Sequence, residues 1–180
     1  FNRIESFFPD NTVRLPDFVV PEGQTPGQAL ALLCISGARE KGFHNKSEYV
    51  SRLKREVAVI EDRGFSKYFL TMKAIADKAT LMQLTGAGRG SAAGSLVAYT
   101  LGITQVDPIR HGLQFERFLT KGGSGYPDID YDVSDPMVLK EQLIEEWGDN
   151  TVVPITNWNT LQLRSLIKDI SKFYGIEFTE

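Results

Sequence analysis

The reading of the fold turns on Leu81-Met82-Gln83-Leu84-Thr85-Gly86-Ala87-Gly88-Arg89-Gly90-Ser91-Ala92-Ala93-Gly94-Ser95, continued by Leu96 to Leu101. Leu81 to Thr85 reads as a short strand, Gly86 to Ser91 as a glycine loop, and Ala92 to Leu101 as a helix of small residues. A glycine loop entering a helix turns unpaired backbone N–H groups outward, and such a cradle suits a phosphate. Arg89, Gly90 and the hydroxyls of Ser91 and Ser95 are the candidate phosphate contacts; the plainer reading is a tight strand-to-helix turn. No Gly-Lys-Ser/Thr follows, so a Walker loop is excluded. Gly88-x-Gly90-x-x-Ala93, with Asp107 about twenty residues further on, formally matches a dinucleotide fingerprint. The second strand which that fold requires is missing, because only Ile103 to Asp107 precedes Pro108.

The other unusual stretch is Pro127-Asp128-Ile129-Asp130-Tyr131-Asp132-Val133. In an extended strand alternate side chains share a face, so Asp128, Asp130 and Asp132 stand together while Ile129, Tyr131 and Val133 pack behind them. Like charges side by side repel and aspartate is disfavoured in strands, so a cation is the natural compensation. Hard oxygen ligands at this spacing suit Mg²⁺, which keeps water and phosphate oxygens in its remaining positions. An edge strand made soluble by acids is the alternative.

Around these two motifs the chain predicts helices. Thr25 caps one that starts at Pro26 and stops at Gly42, with Leu30, Leu33, Cys34 and Ala38 on one face. Ser47 opens a second, with Val50, Leu53, Val57 and Ile60 inward and Arg52, Lys54, Arg55 and Glu56 on the other face. Phe65, Phe69, Met72 and Ala76 mark a third; Ser134 or Asp135 caps another at Pro136, and Asn159 to Tyr174 gives the last. Thr151 to Ile155 reads as one more strand.

Composition bounds the class: 180 residues, 42% apolar and 24% charged, describe a folded domain rather than a disordered chain. The longest apolar run, Ala29 to Ile35, is too short for a bilayer span, so no membrane association is expected. One cysteine, Cys34, cannot form an internal disulfide, which points to the cytoplasm. His44 and His111 lack partners at zinc spacing. Net charge is −3, but Arg39 to Lys78 carries ten basic against six acidic residues, whereas Tyr126 to Asn150 carries eight acids and one lysine. Such halves suit a polyanion surface beside a cation cluster, although two solvated helices of opposite charge would look the same. The chain opens at Phe1 without an initiator methionine, and it reads as a piece of a longer protein.

A phosphate cradle followed by an Asp-x-Asp strand points to metal-dependent nucleotidyl transfer. Gly88-Arg89-Gly90-Ser91-Ala92-Ala93-Gly94-Ser95-Leu96-Val97-Ala98-Tyr99, Asp107-Pro108, Phe115-Glu116-Arg117-Phe118-Leu119 and Pro127-Asp128-Ile129-Asp130-Tyr131-Asp132 resemble, in order and spacing, the palm of the C-family replicative DNA polymerases of bacteria, the polymerase III alpha subunits. The likeness extends from Leu15-Pro16-Asp17-Phe18 to Gly175. The resemblance implies an α+β palm related to the polymerase-beta nucleotidyltransferases, with a small mixed sheet covered by helices. Residues 1–156 would form the palm and 157–180 the start of a thumb. It further implies that Asp128 and Asp130 bind two catalytic Mg²⁺ ions, with Asp132 a further candidate ligand. Arg89, Gly90 and Ser91 would hold the triphosphate, with Arg117 beside them. The implied partners are deoxynucleoside triphosphate, primer–template DNA and, through regions absent here, other replisome subunits. Three departures stand out: Ala87 replaces a usual proline, Ile129 a phenylalanine, and Thr120-Lys121-Gly122-Gly123 an Asn-Pro-Glu-Arg turn. Because the family's third catalytic aspartate lies beyond the thumb, these 180 residues alone are expected not to polymerise. A small nucleotidyltransferase, a non-catalytic nucleotide- or DNA-binding module and a dinucleotide-binding dehydrogenase domain remain as alternatives.

Overall fold

The computed structural model describes residues 18–123, 125–153, 155, 160 and 162–176. Leu15-Pro16-Asp17, Ser124, most of the expected junction at 156–161 and the chain's last four residues lie outside them. Six α-helices occur among the described residues: α1 (Pro26–Glu40), α2 (Ser47–Asp62), α3 (Ser66–Met82), α4 (Leu96–Thr100), α5 (Pro136–Trp147) and α6 (Leu163–Phe173). No described helix is long and apolar enough to cross a membrane.

Local chemistry explains the boundaries. Thr25 and Gln28 form a reciprocal capping box at the start of α1, where Pro26 needs no hydrogen-bond partner for its nitrogen. α2 begins at Ser47 as expected, but Lys46 occupies the cap position and supplies no side-chain bond. Asp135 caps α5, its Oδ1 accepting from the Met137 and Val138 N–H groups at 3.0 and 3.2 Å. The predicted helix from Ala92 to Leu101 is broken. Ser91–Gly94 forms a 3₁₀ turn, and α4 starts only after Ser95, whose Oγ accepts from Ala98 N.

The expected sheet is absent among the described residues, which overturns the reading of a small mixed sheet covered by helices. The only β pairing there is one antiparallel bridge, Thr85 to Val133, framed by Gly86 N to Asp132 O and Ser134 N to Leu84 O. Leu81 and Met82 belong to α3, so the first strand candidate loses its opening residues to a helix. The aspartate segment finds its support elsewhere: Tyr68 Oη accepts from Ile129 N, and Tyr131 Oη donates to Ala76 O, fastening the segment along α3. A strand rich in aspartate gains little from a ladder, and here α3 supplies the apolar backing instead. Thr151–Val153 is not a strand either.

The chain divides into two compact units, Phe1–Gln142 and Leu143–Glu180. In the first, α1 packs on α3 and α4, and α2 on α1 and α4. Leu30, Ile60, Phe69, Leu96, Val97, Ile103 and Phe115 fill the core with almost no exposure. The α1–α4 approach is close: a Cβ on Gly37 would stand 1.9 Å from the Thr100 carbonyl oxygen. In the second unit α6 ends in a Schellman arrangement, Gly175 N bonding to Lys172 O and Ile176 N to Ser171 O, with Gly175 at φ 68°. No residue of α6 is buried, and Leu163, Ile167, Ile170 and Phe173 are exposed on it.

Candidate functional site

The glycine loop is pinned before it reaches the 3₁₀ turn. Gln105 N donates to Ala87 O at 2.7 Å, and Thr104 lies against Gly88 closely enough that a Cβ there would meet its side chain at 3.1 Å. Gly90 adopts φ 66°, ψ −164°, a backbone region that only glycine occupies without strain. Its neighbour is the aspartate segment: a Cβ on Gly90 would approach Asp130 Oδ2 to 2.4 Å, and one on Gly86 would approach the Asp132 Cβ to 2.9 Å. The two sequence motifs, forty residues apart, therefore meet face to face.

Between the loop and the segment that follows α4 lies a cleft of about 540 Å³, lined by Gly90, Ser91, Gly94, Leu113, Gln114 and Arg117 among others. Three of the predicted phosphate contacts, Gly90, Ser91 and Arg117, thus share one concave surface. Arg89 does not line that cleft. Its guanidinium instead sits over the aspartates, at 3.5 Å from Asp130 Oδ1 and 3.4 Å from Asp132 Oδ1. Ser95 does not line it either. That residue is fully buried, and its hydroxyl donates to Glu56 Oε2 at 3.1 Å.

The aspartate segment keeps the predicted alternation without a sheet around it. Asp128 and Asp132 are exposed and Asp130 half-buried, while Pro127 and Ile129 are buried and Tyr131 is partly so. Burial raises the Tyr68 phenol pKa above its ordinary value; the Ile129 N–H opposes this and the Asp128 charge adds to it, which places that carboxylate in the phenol's field. As solvent-accessible hard-oxygen donors, exposed Asp128 and half-buried Asp130 suit a magnesium ion that keeps most of its water. Among the described residues no three His, Cys, Asp or Glu side chains converge as a ready-made metal cage. The donor chemistry fits the ion, with an incomplete set of ligands.

Glu56 is the polar residue that the sequence reading left on the solvent side of α2. It has no exposure. Its Oε1 receives Arg52 Nε at 2.5 Å, while Oε2 receives the Ser95 hydroxyl and the Val97 N–H at 3.0 Å. Burial pushes its carboxyl pKa above the usual range; the Val97 N–H, Arg52 and Ser95 pull it back. The signal was present in the spacing, because Glu56 falls three residues after Leu53 and four before Ile60, on the buried stripe. Asp107, the would-be ribose ligand, is already engaged: Oδ1 accepts from Ile109 N and Arg110 N and Oδ2 from the Tyr49 hydroxyl at 2.7 Å. This removes the support for a dinucleotide fold. Where the Asn-Pro-Glu-Arg turn is replaced, Arg63 braces the chain by donating to Thr120 O at 2.6 Å and Gly125 O at 2.8 Å.

The chain belongs to the family described as the bacterial DNA polymerase III alpha NTPase domain, whose sequence model matches residues 28–180. It is 42% identical over 171 residues to the DNA polymerase III subunit alpha of Halalkalibacterium halodurans, an alignment covering 91% of this chain and 15% of that protein. The subunit of the same name from Bacillus subtilis is 39% identical over 171 residues, with the same coverages of 91% and 15%. That of Ureaplasma parvum is 36% identical over 183 residues, covering 98% of this chain and 19% of that protein. The chain therefore spans between a seventh and a fifth of the length of these relatives.

Proposed function

We propose that this chain is the palm portion of the catalytic subunit of a bacterial replicative DNA polymerase, with residues 1–156 as palm and 157–180 opening the thumb. The parent protein would act in the cytoplasm on primer–template DNA and deoxynucleoside triphosphates, among other replisome subunits. One observation carries the reading: the glycine loop packs on the aspartate segment at Gly90 and Asp130, which sets the phosphate cleft against the carboxylates. Backbone N–H groups of the loop, the Ser91 hydroxyl and the Arg117 guanidinium hold the triphosphate across the cleft. Arg89, which pairs with Asp130 and Asp132 in the structure, would be a further partner for the same anion. Magnesium, two ions in the complete enzyme, would be held by Asp128 and Asp130 with Asp132 beside them, and would supply positive charge that favours loss of the primer hydroxyl proton and balances the pyrophosphate. The primer 3′-hydroxyl gives up its proton to solvent as its oxygen bonds in line to the alpha-phosphorus, and the bond from that phosphorus to the bridging oxygen breaks, releasing pyrophosphate. Gly90 lets the loop lie directly against Asp130, because a Cβ there would stand 2.4 Å from Asp130 Oδ2.

The test is primer extension by the full-length subunit that carries this segment. The wild type should incorporate templated nucleotides with magnesium, Asp130→Asn should not, and the isolated 180 residues should be inactive. Full activity of Asp130→Asn would refute the assignment, and templated incorporation by the isolated chain would refute the need for a further carboxylate from outside it.

A further inference from the structure

Outside its own helix the largely buried Arg52–Glu56 pair bonds to two walls of the cleft and to the joint directly behind its glycine loop. Arg52 Nη2 donates to Gly94 O at 2.9 Å and to Leu113 O at 3.1 Å, the first on the loop wall of the cleft and the second on the wall that carries Arg117. Glu56 takes the Ser95 hydroxyl and the Val97 N–H at the joint where the 3₁₀ turn becomes α4. The two walls touch beneath this staple: a Cβ on Gly94 would come within 2.7 Å of Gln114 O. A buried ion pair adds little net stability compared with apolar packing.

We propose that Arg52 and Glu56 are positioning residues that set the width of the triphosphate cleft, Arg52 by tying Gly94 to Leu113 and Glu56 by fixing Arg52 and the Ser95 joint. The inference rests on the nucleotidyl-transfer reading above. Arg52→Lys keeps the charge and the aliphatic stem but cannot offer the planar fork that reaches Glu56 and both carbonyls together. Glu56→Gln keeps the shape and withdraws the charge that orients the guanidinium.

The experiment is steady-state primer extension by the full-length subunit, varying one deoxynucleoside triphosphate, with Asp130→Asn as control and thermal melting of each protein. For Arg52→Lys and Glu56→Gln the expected result is a KM for nucleotide raised about tenfold, with kcat within about threefold and primer–template affinity unchanged. A purely structural pair would lower the melting temperature and leave the KM of the folded enzyme within about twofold of wild type; that result overturns the proposal. If Glu56→Gln does not fold, Ser95→Ala removes one donor to Glu56 without disturbing the charge pair, and should raise KM in the same direction. An inactive Asp130→Asn beside an Arg52→Lys enzyme of wild-type KM sinks this inference alone. An active Asp130→Asn sinks the functional reading and this inference with it.

Discussion

Two arginine–carboxylate groups flank the same glycine loop, and they are built in opposite ways. Beneath the loop, Glu56 has no exposure, Arg52 approaches it at 2.5 Å, and each oxygen of the carboxylate has a donor. Beyond the loop, Arg89 lies over Asp130 and Asp132 at 3.5 and 3.4 Å, with the Arg89 side chain 63% exposed. In the first group the carboxylate is sealed from water and fully engaged by its donors, while Arg52 keeps a little exposure. The second is loose and open to water, so an ion or phosphate can replace one partner for another at small cost. The charge of Glu56 is buried with every oxygen engaged, whereas that of Asp130 and Asp132 stays open to solvent beside a loosely placed arginine.

The sharpest way to break this contrast is Asp130→Asn in the full-length subunit. Its incorporation rate should fall by about a thousandfold or more, with the melting temperature nearly unchanged because the Arg89 contact is exposed. Glu56→Ala should do the reverse in kind. Removing one partner of a buried pair strands the Arg52 charge, and unfolding by denaturant should show a loss of about 3–5 kcal/mol. Gly37→Ala probes the packing that brings α1 onto α4: its methyl would overlap the Thr100 carbonyl, and a loss of about 1–3 kcal/mol is expected from the same measurement. At the small end, Arg55→Ala removes a 3.2 Å contact to Glu116 in which both side chains are about half exposed, and should change stability by less than about 1 kcal/mol.

Cys34 offers a titration that leaves the site untouched. Burial pushes its thiol up to about 12 from 9.0. A raised thiol pKa favours the folded state fully below the unfolded value, and that contribution is lost as pH rises from 9.0 through about 12. Ellman's reagent at pH 8 should therefore label the unfolded chain quickly and the folded one slowly; rapid labelling of the folded protein would contradict the buried environment.

The helices were legible because their signals are local. Thr25, Pro26 and Gln28 encode the start of α1 among neighbours in sequence, and the stripe of Leu53, Val57 and Ile60 encodes the inward face of α2. The alternation at Asp128 to Val133 is equally readable, whereas the cleft that Gly90, Ser91 and Arg117 share needs the fold. The sheet was misread because a strand needs a partner, and pairing is not written in either segment; α3 claims Leu81 and Met82, while Tyr68 and Tyr131 fasten the aspartates to that helix. The burial of Glu56 is not legible in its residue type, because a charged residue on a helix is ordinarily solvated. Its burial depends on Arg52, Ser95 and the Val97 N–H, two of them about forty residues away. Ser95 was grouped with the phosphate contacts by its position in the glycine-rich run, and only the break between the 3₁₀ turn and α4 turns its hydroxyl inward.

The central claim is that the cleft beside Gly90 holds the triphosphate against Asp130. Calorimetric titration of a deoxynucleoside triphosphate into the full-length subunit, on a dideoxy-terminated primer–template with magnesium present, tests it most directly. Wild type should bind with an affinity that falls about a hundredfold in Asp130→Asn and by a similar factor when magnesium is chelated. Equal affinity in wild type and variant, with or without the ion, would contradict the account.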